Sequence, residues 1–385
     1  MACFPPGLTR SFTRLIAACM LACAGCGGAA EPGRQATLTF WEWWSDQQNV
    51  LEALAAEYER GTGVRVDFQL SLPVGSTYLD KVRAAAQTGH LPDIIGLNGG
   101  GDFLVLFIQK GLILDVSDIL NRDGGAWRER FFPRSLEGFY YAEDNVFGVP
   151  GDTTWGLPLS VTNIQIFYHQ DVFREAGLDP TTPPRTWEQF LQTCTHLREA
   201  GYVPFLAGLG EDWIAYNLFL TYAWPYVGKE RMNRLHVGEL SYRDPAVVRA
   251  FARIADLRRV RAVPEEGLAM PNKEAEIHFS QKKAAMMMNG SWAVNVYAGL
   301  NPGLKLGVFE FPVPAEAPHP MYLIGGIGKG CVFAADSPRR DEALRFVRWL
   351  LEKPQQVRLA REAHQIPVNI EAVEAIDPLL RNFAA

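Results

Sequence analysis

Residues capable of covalent or metal chemistry are present, but their spacing does not assemble them. The seven histidines (His90, His169, His196, His236, His278, His319 and His364) include no pair at helical ligand spacing, which argues against a zinc site. No Gly-x-Ser-x-Gly elbow occurs. The run Gly325-Gly326-Ile327-Gly328-Lys329-Gly330 looks like a phosphate loop, but the Walker spacing fails, and Cys331 stands where a magnesium-binding hydroxyl is needed. Glu211 with Asp212, or Glu42 with Asp46, could form a glycosidase pair, yet 43 acidic residues produce such pairs by chance. Catalysis is not expected, and neither is a metal or other cofactor.

The ten tryptophans carry more information. Trp43 and Trp44 are consecutive, so on a strand they point to opposite faces and only one can belong to a single core. Trp292 follows Asn289-Gly290-Ser291, and Trp213 closes Gly210-Glu211-Asp212-Trp213 at a predicted strand end. Trp187 and Trp349 fall on amphipathic helices beside other apolar residues and read as core.

The elements that must position these residues alternate. Residues 36–44 read as a strand, 48–60 as a helix ended by Gly61 and Gly63, and Val64, Val66, Phe68 and Leu70 alternate as a second strand. A helix over 78–88 and a strand over 92–97 complete a βαβαβ start, which implies parallel pairing. A helix over 103–110 follows, and residues 121–155 are loop-rich and aromatic. Residues 163–168 form a strong β run. Thr186 and Gln189 make a capping box for a helix over 187–200, and Asp244-Pro245 opens another to about Val260. Asn289-Gly290 reads as a turn and Ser291 as the cap of a helix over 292–298. Ser337-Pro338 opens the last long helix, ended by Pro354.

At 385 residues, with 48% hydrophobic and 21% charged content, the chain is globular, and at roughly 100–200 residues per domain it favours two lobes. Lys+Arg 37 against Asp+Glu 43 gives −6, without the basic surplus that phosphate neutralisation demands, so no nucleic-acid partner is expected. Arg10 and Arg14, then an apolar run over 15–24 and small residues, form an export signal too short to span a bilayer. Leu21-Ala22-Cys23-Ala24-Gly25-Cys26 resembles a lipobox, making 1–25 a lipoprotein signal peptide, Cys26 the lipidated residue and 26–35 a tether. Cys23 occupies the place usually held by Leu; modification at Cys23 and simple secretion are the alternatives. Cys194 and Cys331 remain for the fold. An exported compartment permits a bridge between them, but their placement on a helix and a hydrophobic strand favours two separate buried thiols.

Five segments, in this order, resemble the extracytoplasmic solute-binding proteins of ABC sugar importers, the family that includes maltose-binding protein: LTFWEWWSD, PDIIGLNGGGDF with KGLILDV, GLPLSVTNIQIFYHQDVFREAGLDPTTPPRTWEQF, FSQKKAAMMMNGSWAV and GGIGKGCVFAADSPRRDEALRFVRWLL. Tyr168-His169-Gln170 departs from the family's usual Tyr-Asn-Lys. The resemblance implies an α/β, two-lobe periplasmic-binding-protein-like fold of type II, each lobe a mixed, mostly parallel sheet flanked by helices, with the ligand cleft at the hinge. Lobe 1 would comprise 36–159 plus 322–352 and lobe 2 160–321 plus 353–385, crossing near Leu159, Tyr322 and Glu352.

It further implies capture of a mono- or oligosaccharide and delivery to a membrane permease served by a separate ATPase, by a monomer held extracytoplasmically on a lipid anchor. Sugars present apolar C–H faces ringed by hydroxyls, so stacking rings with carboxylates and amides suit them. The candidate ligand residues are Trp43, Trp44, Glu42, Asp46, Asn98, Asp102, Trp155, Tyr168, Trp213, Trp292, Gly325 and Gly326. Several of these have a structural alternative: core packing for the aromatics, helix capping for Asp102, hinge flexing for the glycines. A glycerol-phosphate binder, which would need a cationic or amide-rich pocket, and a secreted glycoside-active enzyme are the rival readings.

Overall fold

The structure, a computed structural model, describes residues 37–71, 76–321 and 324–384. The predicted signal, the tether, Cys26 and Tyr322 lie outside the described residues. Eleven strands among the described residues are β1 (Thr37–Glu42), β2 (Arg65–Leu70), β3 (Ile94–Leu97), β4 (Tyr140–Tyr141), β5 (Thr153–Thr154), β6 (Leu157–His169), β7 (Val203–Leu206), β8 (Ala284–Gly290), β9 (Leu306–Phe309), β10 (Gly325–Phe333) and β11 (Ile366–Pro367).

The opening βαβαβ unit pairs in parallel as its alternation predicts: Phe40 lies opposite Phe68 on one side and Ile94 on the other. The sheet continues in the order β2-β1-β3-β10-β6-β8-β7, with β9 and β11 also on β6. This is the expected α/β class with a mixed sheet. Its pairing is less parallel than predicted, because β6 runs antiparallel to β8, β9, β10 and β11.

β6 belongs to two cores. Its first residues carry Leu157 and Leu159 into a core with Leu38, Phe40, Leu54 and Phe346, whereas Ile164 and Ile166 join a second with Trp187, Phe190, Phe205 and Tyr222. Three segments meet where it passes between them: β6 at Ser160 to Asn163, β10 at Gly325 to Ile327, and β11. Past Glu352, Leu359 and Val368 still pack in the first core, while Ile366, Ile376 and Leu380 pack against Phe167 and Tyr297.

Local chemistry sets most boundaries. Thr186 and Gln189 close their capping box reciprocally over the helix Trp187–Glu199, and Asp244 caps Pro245–Arg259. Pro354 does not end the helical region. It sits in the first turn of a further helix, Lys353–Glu362, where a missing N–H costs nothing. Asn289 and Gly290 complete β8 rather than form a turn, and the Ser291 hydroxyl shares a hydrogen bond with the Thr162 hydroxyl at 2.7 Å instead of capping. Cys194 and Cys331 are free and buried in different cores, where desolvation raises both thiols.

Candidate functional site

β1 delivers Glu42 to its last position, and the loop into the helix Gln48–Thr62 carries Trp43, Trp44 and Asp46. Both follow the end of β1, so strand alternation does not separate them; their rings lie 5.8 Å apart and Trp43 packs against the core that holds Trp44. Trp44 is 3% exposed and packs edge-on to Phe40 at 5.8 Å, so it is a core residue with no face for a ligand. Gly96 makes the room, since a Cβ there would come within 3.0 Å of the Trp44 ring. Trp43 is half-buried, 4.6 Å from Tyr78, whose hydroxyl donates to the carbonyls of Trp41 and Gly96. Glu42 is fully buried: one carboxylate oxygen accepts the Trp44 N–H and the other has no donor. Desolvation pushes its carboxyl up to about 7, against the lowering pull of that N–H and of Lys329.

Asp46 is not a free ligand-reading carboxylate. Its Oδ2 accepts from Lys329 Nζ at 2.5 Å and Gln365 Nε2 at 3.2 Å, and Lys329 also donates to Gln365 Oε1 at 3.1 Å. Burial lowers the pKa of Lys329, while the ion pair with Asp46 opposes that shift. The Asp46 carbonyl accepts from Asn295 Nδ2, in the helix Ala293–Leu300 that Trp292 opens. Asp46 therefore ties the β1 loop to β10, to the C-terminal segment and to the helix Ala293–Leu300, whose Ala293, Val294 and Tyr297 pack with Phe167.

On that second side Trp292 and Trp213 come together, with ring centroids 5.8 Å apart and planes at 55°. Trp292 is half-buried over Gly290, and Trp213 is 37% exposed with its indole N–H on Glu211 Oε2 at 2.5 Å. Glu211 Oε1 accepts the Asn272 N–H at 2.8 Å. Behind them the buried Glu276 accepts from Asn272 and Asn289 side chains at 3.0 and 3.1 Å and pairs with Lys273 at 3.0 Å.

Other predicted residues lie apart. Trp155 is buried in a core with Phe139, its N–H satisfied by Thr153 Oγ1 at 2.8 Å. Tyr168 packs under the second core with its hydroxyl on the Pro180 carbonyl at 2.7 Å, and borders a separate groove of about 650 Å3 that none of the tryptophans lines. Asn98 and Asp102 are exposed at the start of Asp102–Gln109, and Asp102 is the first helical residue rather than its cap. Gly325 is required by strand contact, since a Cβ would meet Thr162 O at 2.3 Å; Gly326 holds a positive φ of 149°. Lys329, Gln365, Asn295, Asn272 and Glu276 were not among the expected site residues, and Glu211 stood out only as a chance carboxylate partner of Asp212. Only Lys329 carried a signal, as a charge inside an otherwise apolar strand. Among the described residues, no three His, Cys, Asp or Glu are placed to hold a metal ion, and no helix is long and apolar enough to cross a membrane.

The profile of the bacterial extracellular solute-binding proteins matches residues 44–357. The sn-glycerol-3-phosphate-binding periplasmic protein UgpB of Brucella melitensis is 24% identical over 297 residues, 76% of this chain and 65% of that protein; its Rhizobium meliloti namesake is 22% identical over 346 residues, 86% and 76%. The chain spans less than two thirds of the length of the Brucella relatives. Among solved structures, one from xylan utilization by the thermophilic bacterium Caldanaerobius polysaccharolyticus superposes with TM-score 0.78 at 20% identity, covering 91% of this chain and 88% of that one. A chitin oligosaccharide binding protein gives 0.75 at 24%, covering 90% and 86%, and RafE of Streptococcus pneumoniae in complex with raffinose 0.74 at 18%, covering 91% and 86%. These likenesses establish the two-lobe, type II periplasmic-binding fold.

Proposed function

The chain belongs to the bacterial extracellular solute-binding proteins, and on that premise we propose that it is the substrate-binding component of an ABC importer, capturing a sugar in the cleft between its two lobes. The observation that carries this reading is the Trp213–Trp292 pair, an exposed and a half-buried indole 5.8 Å apart, with Asn295 of the helix that Trp292 opens donating to the Asp46 carbonyl. Indoles stack on the C–H face of a pyranose, each such contact contributing on the order of 1 kcal/mol beyond burial. Lobe closure then distinguishes loaded from empty protein for a permease with a separate ATPase. We take lobe 1 as 36–159 plus 322–352 and lobe 2 as 160–321 plus 353–385, with the C-terminal segment lending Leu359 and Val368 to the first core. The protein works as a monomer outside the cytoplasm, tethered by a lipid on Cys26.

UgpB relatives raise glycerol phosphate as the second candidate. A phosphate calls for unengaged cations or bidentate arginines. Here Lys329 is spent on Asp46 and Lys273 on Glu276, with Glu42 and Glu211 close by, which disfavours an anion. Isothermal titration with neutral mono- and oligosaccharides alongside glycerol 3-phosphate tests this: saturable heat from a sugar supports the proposal, and heat from the phosphate ester alone defeats it. Release of new reducing ends from an oligosaccharide would point instead to a glycoside-active enzyme.

A further inference from the structure

Resting on the sugar-binding reading, we propose that Glu211 is a positioning residue that presets Trp213 as the second wall of a two-indole corner. Glu211 stands at the N-cap of the helix Asp212–Val227, but its carboxylate accepts none of that helix's free N–H groups. Its two oxygens go elsewhere. Oε1 takes the N–H of Asn272, the first residue of the helix Asn272–Ser280, and so caps a different helix. Oε2 takes the indole N–H of Trp213 at 2.5 Å, a charge-assisted bond.

The backbone is shaped for this exchange. A Cβ on Gly208 would lie 2.4 Å from Asn272 Cα, and one on Gly210 would lie 2.3 Å from the Ala269 carbonyl oxygen, so the loop lies flat against residues 269–272. The Gly210 N–H donates to the Met270 carbonyl at 3.0 Å and completes the seam. Trp213, at 37% exposure, has too little packing to hold its ring in one rotamer; Glu211 supplies the constraint. Trp292 is held differently, by lying over Gly290, where a Cβ would approach its ring to 1.9 Å. Both planes of the corner are thus fixed before a ligand arrives, which spares the binding event the cost of ordering them.

Two indoles 5.8 Å apart couple excitonically, and because Trp43 and Trp44 lie at the same separation, the part of the circular dichroism couplet that Trp213→Phe removes is what reads the corner. The couplet is recorded for the wild type, Glu211→Ala, Glu211→Gln and Trp213→Phe, together with titrations against a sugar bound by the wild type and with unfolding midpoints. Glu211→Ala should lose the couplet as Trp213→Phe does and bind the sugar about tenfold more weakly. Glu211→Gln, which keeps one acceptor oxygen, should fall between. If both Glu211 variants keep the couplet and the affinity of the wild type, or lose them only in step with the folded fraction, the assignment is overturned. If no sugar binds the wild type, or Trp292→Ala binds as well as it does, the cleft reading fails, while the couplet still decides whether Glu211 holds Trp213.

Discussion

Glu42 illustrates how a buried acid without a full set of donors makes stability depend on pH. Its folded pKa of about 7 lies above its ordinary value, so between roughly 4.5 and 7 the folded state holds the proton that the unfolded chain has released. Its contribution is therefore greatest at low pH and is lost as pH rises through that window, by on the order of 3 kcal/mol. Melting curves of wild type and Glu42→Gln should converge at low pH and separate above 7, with the variant the more stable; parallel curves would contradict the shifted pKa. Trp292→Ala should abolish sugar binding while the unfolding midpoint stays almost unchanged, and a large stability loss would assign the ring to the core. The alternation expected to split Trp43 from Trp44 does not apply, because both lie past the end of β1 and Trp43 packs against the core that holds Trp44. The deeper burial of Trp44 depends on the space at Gly96, 52 positions away and silent in the local pattern. Trp155 and Tyr168 satisfy their polar atoms on Thr153 and Pro180, so they resemble ligand-facing residues in sequence and are core residues in space.

Among the elements, those that the sequence announced are those with local signatures: the capping box at Thr186, the Asp244-Pro245 start, the alternation of β2. The helix Asp212–Val227 has none, because it is apolar on nearly every face and contains Pro225. Its burial replaces periodicity. The junction of Asp46, Lys329, Gln365 and Asn295 was equally invisible, since its members lie on four segments far apart in the chain. Lys329 is 5% exposed and held by Asp46 and Gln365. Lys329→Met leaves the partly buried Asp46 unpaired, and chemical denaturation should show a loss of about 3–5 kcal/mol. Asn295→Ala removes only the bond from the helix Ala293–Leu300 to the Asp46 carbonyl. Its stability should change by less than about 1 kcal/mol, while small-angle scattering of the ligand-free protein moves toward a more open shape; unchanged scattering would mean that this contact does not hold the lobes.

For the whole molecule, class and family were legible because five spaced segments and the strand-helix order extend over most of the chain. The antiparallel character of β6 was not, because pairing direction follows from where the chain returns. Cys194 and Cys331, buried in different cores, should resist maleimide in the native protein and react on unfolding, with no change in melting on adding a reductant; a reductant-sensitive midpoint would imply a bridge. On the proposed function, a sugar closes the two lobes over Trp213 and Trp292. Tryptophan emission titrated with a panel of neutral mono- and oligosaccharides reads that closure: a saturable shift is expected with at least one sugar, absent in Trp292→Ala. No response to any sugar, with a saturable response to glycerol 3-phosphate, would contradict it.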